Sequence, residues 1–370
     1  IIDGMVIRDS GGLDGDFGLI QANVLHARNV VAQNNFSQVS VFHVFGNGMA
    51  NGHLIESSRF EDNTSRYAVV EVHGGGTVRG CEFLRNTIVT PLFGGAPLVN
   101  FGQGRGIIRE PVTIEQCVFI ANTSEGSGAI ACSDQIESDA TITVRDSTFA
   151  GNTSFAGLID QFGVNFANAG ARKAIQLVQC EVVGNRTGTG LYLGATRFVG
   201  CTLAQNSSSG PQLGIGDAEL FNSIFVPEES SSDMVQLADG TPAVADAFHS
   251  VVPTSIFDAG TTVSSTTLDP LFIRPPSDGG DGWGDDPATP DINESLNDDF
   301  GDLRLRPGSP AIDAGSRGII RVGETDLDGN PRLRDDPGIP DAGRNGLVDI
   351  GAYEFQGVTC LPDVNGDGVL

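Results

Sequence analysis

The chain has 370 residues, 47 of them Asp or Glu against 21 Lys or Arg, for a formal net charge of -26. Such an acidic surface repels nucleic acid and anionic membranes, and no apolar run reaches the roughly 18 residues of a membrane-spanning helix. The 50 Gly and 18 Pro speak for turns and short strands over long helices.

Residues 1–225 repeat one motif. In Val144-Arg-Asp-Ser-Thr-Phe-Ala-Gly-Asn-Thr153 it reads apolar, two polar, small, any, aromatic or aliphatic, two of any kind, Asn. The copies, named by the small residue and the Asn that follows it, are Asn29 with Asn34, Ser58 with Asn63, Cys81 with Asn86, Cys117 with Asn122, Ser147 with Asn152, Cys180 with Asn185, and Cys201 with Asn206. Gly4 with Asp9 reads as a degenerate first copy, and Ser223 with Phe225 as a last copy lacking its Asn. Successive small residues lie 21 to 36 positions apart, a variation that a solenoid absorbs in loops. The units are rich in Val, Ile, Thr, Phe and Gly, and alternate over short runs, which excludes helical repeats.

Three short strands per coil predict an all-β parallel β-helix, each strand pairing with its equivalent one coil on, about 4.8 Å away. The small residue and the residue two further on point inward. The second of these columns runs Val31, Phe60, Phe83, Phe119, Phe149, Val182, Leu203, Phe225. Each Asn is expected at the bend after the strand, in the left-handed region, with its amides bonded along the stack as a ladder. The repeat resembles that of right-handed parallel β-helix repeat proteins over about three-fifths of the chain. That resemblance implies a fold and says little about function.

Cys81, Cys117, Cys180 and Cys201 share one inward column. A bridge is conceivable for Cys81–Cys117 or Cys180–Cys201, but parallel stacked side chains leave the Cβ atoms slightly too far apart, so buried thiols are expected.

Outward on the first strand, Arg59 and Glu82 are neighbours and read as an exposed ion pair. Outward on the second strand, the alternation gives Glu71, Val99, Ala131, Ile159 and Tyr192, followed on the same face by His73 and Phe101. Glu71, His73, Phe101 and Tyr192 are therefore the candidate ligand-binding face, an acid–base pair beside an aromatic strip that either binds sugar rings or, as the commoner outcome, packs under an insertion loop. A lyase on this scaffold needs a base beside a carboxylate cluster, and a hydrolase needs paired acids. The outward column of the first strand clusters no acids, and no catalytic residue is assigned. The spacing of His26, His43 and His53 supports neither a zinc site nor a triad. Insertions at about 41–53, 88–111, 132–140 and 160–173 are loops that can line a binding face.

Residues 226–300 read as irregular coils and an acidic loop, Ser277-Asp-Gly-Gly-Asp-Gly-Trp-Gly-Asp-Asp286, which holds the one Trp and is expected to be solvated. Residues 301–357 contain Asp302-Leu-Arg-Leu-Arg-Pro-Gly-Ser-Pro-Ala-Ile-Asp-Ala-Gly315, Thr325-Asp-Leu-Asp-Gly-Asn-Pro-Arg332 and Val348-Asp-Ile-Gly-Ala-Tyr-Glu354. In that order the blocks resemble the choice-of-anchor Q domain of bacterial β-helix surface proteins. The resemblance implies a cap that closes the solenoid ahead of an anchoring or secretion module. Asp313, Asp326, Asp328 and Asp349 are expected to bond local N–H groups in turns.

In residues 358–370, Asp363, Asn365 and Asp367 fall at positions 1, 3 and 5 of a calcium loop, with Gly368 at its turn. The stretch resembles the opening of a dockerin-type repeat, which implies Ca2+ at these residues and a cohesin-like partner. Its later ligands would follow Leu370. The opening, Ile1-Ile-Asp-Gly-Met-Val-Ile-Arg8, reads as mid-coil, so further residues are expected upstream. Together the resemblances imply a secreted or cell-surface protein. The expected function is a non-catalytic module for adhesion, glycan binding or matrix assembly, acting on an extracellular polysaccharide or cell-surface component. The alternative is a polysaccharide lyase or glycoside hydrolase.

Overall fold

A computed structural model describes residues 1–11, 20–22, 26–44, 52–89, 98–101, 107–108, 111–132, 135–136, 141–161, 175–194, 196–211, 213–215, 217–228, 235–236, 244–253, 262–284, 293–338 and 347–357. Over these residues the chain is a parallel β-helix. One coil runs Ile142–Arg145, Thr148–Ala150, Thr153–Ser154 and Ile159–Gln161. These four strands enter sheets 1 to 4, of 11, 9, 7 and 9 strands. Each coil thus has four strands, not the three expected. The extra one, in sheet 3, is only two residues long and too short to show an alternation.

Two bends per coil use a left-handed residue, such as Asp146 (φ 50°) before Ser147 and Ala121 (φ 53°) before Asn122. The ladder Asn therefore follows the left-handed residue and does not occupy it, which corrects the expectation for the Asn column. The frame of the first two copies is corrected in the same way, since Gly4 (φ 70°) and Asp9 (φ 52°) are bend residues as well. Asn29 (φ 53°) and Asn34 (φ 54°) are themselves the bend residues. Val30 and Asn35 take the columns, and Ala32, not Val31, stands opposite Phe60.

The ladder runs Asn35, Asn63, Asn86, Asn122, Asn152, Asn185, Asn206, each bonded to the next. Asn122 shows the pattern. Its Nδ2 donates to Phe83 O and to Asn152 Oδ1, both at 2.8 Å. Its Oδ1 accepts from Asn86 N at 2.9 Å and from Asn86 Nδ2 at 3.0 Å. Beside it, Phe60, Phe83, Phe119 and Phe149 stack at 4.8 to 4.9 Å between ring centroids. Cys81, Cys117, Cys180 and Cys201 are buried and unbridged. Their column continues through Ser223, Ser250 and Ser265, whose hydroxyls accept the N–H of the preceding coil. Strands Ala245–Phe248 and Thr262–Val263 extend sheet 1, so coils continue past residue 225.

From Phe272 onward the chain turns back along the outer face of sheet 2. In early coils that face carries Gln33, Arg59, Glu61 and Glu82. In later coils Ala150, Val183, Ala204 and Ile224 are buried against Phe272, Leu303, Leu305, Ala311, Ile312 and Ile350. Gly351 N donates to Asn222 O at 2.8 Å, Ala352 N to Thr202 Oγ1 at 2.9 Å, and Tyr353 OH to Glu181 Oε2 at 2.6 Å. Among the described residues, the segment expected to close the end of the solenoid is a clasp along its side. Trp283, placed by sequence in a solvated loop, is 2 % exposed and stacks on Phe300 at 5.8 Å. A Cβ at Gly184 would lie 2.7 Å from the Trp283 ring, and one at Gly151 would meet Phe300.

The clasp acids do more than shape local turns. Asp349 accepts Asp313 N at 2.8 Å, and Asp326 accepts Glu354 N at 2.8 Å and Asn330 N at 2.7 Å. Asp313 accepts Asp336 N at 3.1 Å, and Asp328 accepts Arg304 NH2 at 2.8 Å. Arg332 and Glu354 form a buried ion pair at 3.1 Å. These bonds tie the three sequence blocks to one another.

Asn122→Ala leaves donors and acceptors unpaired on both neighbouring coils. At about 1–3 kcal/mol for each unpaired buried group, unfolding in urea should show a loss of about 3–5 kcal/mol. At Gly184 the backbone accepts side chains, because the equivalent Gln205 has φ 49°. The constraint is the Trp283 ring. Gly184→Gln should red-shift the fluorescence of the one Trp and cost about 1–3 kcal/mol, whereas Ala121→Gln, at the same bend in an earlier coil, should do neither.

Candidate functional site

Sheet 4 sorts the candidate face into two groups. Glu71 stands opposite His43 on one side and Asn100 on the other. Val70 pairs with Val99, Val72 with Phe101, and Ile159 with Tyr192. Phe101 and Tyr192 therefore point inward, at 0 % and 1 % exposure, and Tyr192 meets Phe198 edge-on at 5.0 Å. The sequence alignment slipped by one residue at Val99, Ile159 and Tyr192, though not at Ala131, which does stand opposite Asn100, and in a strand a one-residue slip exchanges the two faces. The aromatic strip is core. Glu71 and His73 remain outward, and the register brings them a third group, His43, from the preceding coil.

His43 lies on strand Ser40–Val44 and Glu71 on strand Ala68–Val72, with His73 immediately after it. Glu71 and His73 share a face because they are two apart. The Glu71 side chain is fully buried. Its Oε2 accepts Ser40 Oγ at 2.9 Å and faces His43 Nδ1 at 3.2 Å, while Oε1 faces His73 Nε2 at 3.2 Å. The two imidazole centroids are 5.2 Å apart. One donor atom from each residue can be chosen so that all three lie within 4.8 Å of one another. In the next coil, buried Asn100 gives Nδ2 to Tyr67 OH at 3.1 Å, and its Oδ1 has no partner among the described residues. An isolated buried carboxylate is costly; here two imidazoles and a hydroxyl surround it. This arrangement can move a proton between carboxylate and imidazole, or hold a cation.

Sequence spacing missed His43 because 28 residues separate it from Glu71, while the fold places them side by side. The detectable signal was the pair Val99 and Phe101 flanking Asn100, which matches Val70 and Val72 flanking Glu71. Among the described residues His26, His53 and His249 do not join the cluster.

The exposed face of sheet 2 carries the expected Arg59–Glu82 pair at 2.8 Å, extended by Glu61 and Arg85. Hydrogen bonds from Arg59 and Arg85 draw the Glu61 carboxyl down to about 2; solvent screening keeps such a surface network weak. Asp363, Asn365 and Asp367 lie outside the described residues. Among those described, no helix is long and apolar enough to cross a membrane.

No protein-family model matches the chain, and no curated protein is similar to it.

Glu181, on the outer face of sheet 2, is a buried carboxylate of another kind. Burial raises its pKa, against the opposing hydrogen bond from Tyr353 OH. Because the folded pKa is raised, its contribution to stability is complete below the ordinary carboxylate range near 4.3 and is lost as pH rises through the raised value. Melting profiles between about pH 4 and about pH 8 should therefore fall more steeply for the wild type than for Glu181→Gln. Parallel profiles would contradict this.

Proposed function

We propose that this protein is a secreted or cell-surface β-helix module that binds an extracellular glycan or cell-surface component without converting it. The observation that supports this most is where the long connections arise. In four of five successive coils the stretches between Val44 and His53, Phe101 and Val112, Cys132 and Ile142, and Gln161 and Ile175 lead from sheet 4 to sheet 1, the exception being the short Val72 to Gly76 connection. Four of the five long connections of those coils thus arise at one border of a laddered rod, next to the column of His43, Glu71 and Asn100; the fifth, between Ile88 and Val99, leads from sheet 3 into sheet 4. A rigid rod with variable loops on one border suits recognition of an extended polymer. The side clasp is the part that resembles a choice-of-anchor Q domain, and the residues after it resemble the start of a dockerin-type repeat. In this reading Asp363, Asn365 and Asp367 contribute to a calcium loop, and the tail links the rod to a cohesin-like partner or an anchoring module.

A second reading, a polysaccharide lyase or glycoside hydrolase, draws on Glu71 between two imidazoles, which is an acid–base set on an outward face. The test is a panel of acidic and neutral polysaccharides, with and without calcium, scored for binding and for new chain ends. Saturable binding without cleavage is expected. Cleavage that disappears in Glu71→Gln would select the enzyme reading instead.

A further inference from the structure

We propose that His43, Glu71 and His73 bind a divalent transition-metal ion of the zinc class. The donor set decides the kind of ion. Two imidazole nitrogens and one carboxylate suit zinc, copper, nickel or iron, whereas calcium and magnesium take oxygen ligands. The geometry is close to what such an ion needs. With bonds near 2.0–2.1 Å, tetrahedral ligands sit roughly 3.3 Å from each other. Each imidazole lies 3.2 Å from a carboxylate oxygen, His43 Nδ1 from Oε2 and His73 Nε2 from Oε1, and with one oxygen chosen all separations, that between the imidazoles included, stay within 4.8 Å. Small rotations of the two rings would close the remaining gap.

The site stands on rigid backbone. Glu71 and His43 are held opposite each other by ladder hydrogen bonds, and His73 follows Glu71 on the same face. Ser40 Oγ donates to Glu71 Oε2, the kind of outer contact that orients a ligating carboxylate. A second observation comes from the next coil. The Asn100 side chain is fully buried, its amide is oriented by Tyr67 OH, and its Oδ1 has no partner among the described residues. Unpaired buried acceptors are uncommon and call for a reason. Three protein ligands leave a fourth position open, as in zinc sites that carry a water. Asn100 Oδ1, one strand spacing from Glu71, would accept a hydrogen bond from that water. This inference is independent of the glycan reading.

The full chain, stripped with chelator, is titrated with Zn2+ by calorimetry and with Co2+ by visible absorption. One equivalent should bind, with cobalt d–d bands and no thiolate charge-transfer band, which separates the site from the buried cysteines. His73→Ala, at the most accessible of the three ligands, should weaken Zn2+ binding by at least about 100-fold, the upper end of what outer-shell changes cost. Its melting curve in chelator should match that of the wild type. His43→Ala should behave likewise, and if it does not fold, His73→Ala decides alone. Absence of uptake, a thiolate band, or affinity unchanged in His73→Ala would overturn the proposal and leave His43, Glu71 and His73 as a hydrogen-bonded cluster that stiffens the sheet.

Discussion

The asparagine ladder is the interaction on which the rest of the structure depends. Each rung meets two requirements at once. Its Oδ1 takes the backbone N–H and the side-chain N–H of one neighbouring rung, and its Nδ2 reaches the following rung and a carbonyl of the preceding coil. A bend buried between two sheets would otherwise leave peptide groups unpaired, at a cost comparable to lost hydrogen bonds. With the bend satisfied, the inward column beside it is fixed in register, and the Phe rings stack at coil spacing. The same register then decides which outward residues meet. His43 reaches Glu71 because the coils are locked, although the two are far apart in sequence.

A rod of this kind has faces that must stay soluble and faces that can be covered. Sheet 2 shows both. Its early coils carry Arg59, Glu61, Glu82 and Arg85, which neutralise one another in water. Its later coils carry Ala150, Val183, Ala204 and Ile224, and the clasp lies over these. Glycine appears at the left-handed bend where an aromatic ring descends on it, at Gly151 under Phe300 and Gly184 under Trp283. Elsewhere the same bend accepts Asp62, Arg85 or Gln205. The clasp therefore grips through shape at two glycines, through apolar burial along sheet 2, through one hydrogen bond each to Thr202 and Glu181, and through three with Asn222.

The stacked, all-β architecture was legible in the sequence because its columns are chemically distinct. Phe60, Phe83, Phe119 and Phe149 recur at a constant offset from Asn63, Asn86, Asn122 and Asn152, and that offset survives any loop length. The second copy misled because Asn29 and Asn34 occupy bends where Asn is also favoured, so the motif could be framed one residue early. Sheet 3 escaped because two residues cannot display an alternation. The candidate site was legible only in half. Glu71 and His73 announce themselves by being two apart, whereas the offset from the ladder Asn to the inward sheet 4 residue is seven for Val70, Ile159 and Tyr192, eight for Ile130, and lost across the insertion that precedes Val99. A slip of one residue turned core aromatics into an apparent binding strip, and the separation in sequence between His43 and Glu71 hid their proximity. The clasp blocks were visible as motifs, whereas their place on the side of the rod depends on apolar outward residues spread over several coils.

Coil register brings His43, Glu71 and His73 to one point suited to a metal ion. A crystal of the full chain grown with Zn2+, with diffraction recorded on both sides of the zinc absorption edge, tests it most directly. A single strong anomalous peak within bonding distance of His43, the Glu71 carboxylate and His73, with Asn100 in the adjacent coil of the same column, is the predicted result. Strands in which His43 and Glu71 are not neighbours, or zinc bound elsewhere with no ion at these three residues, would contradict it.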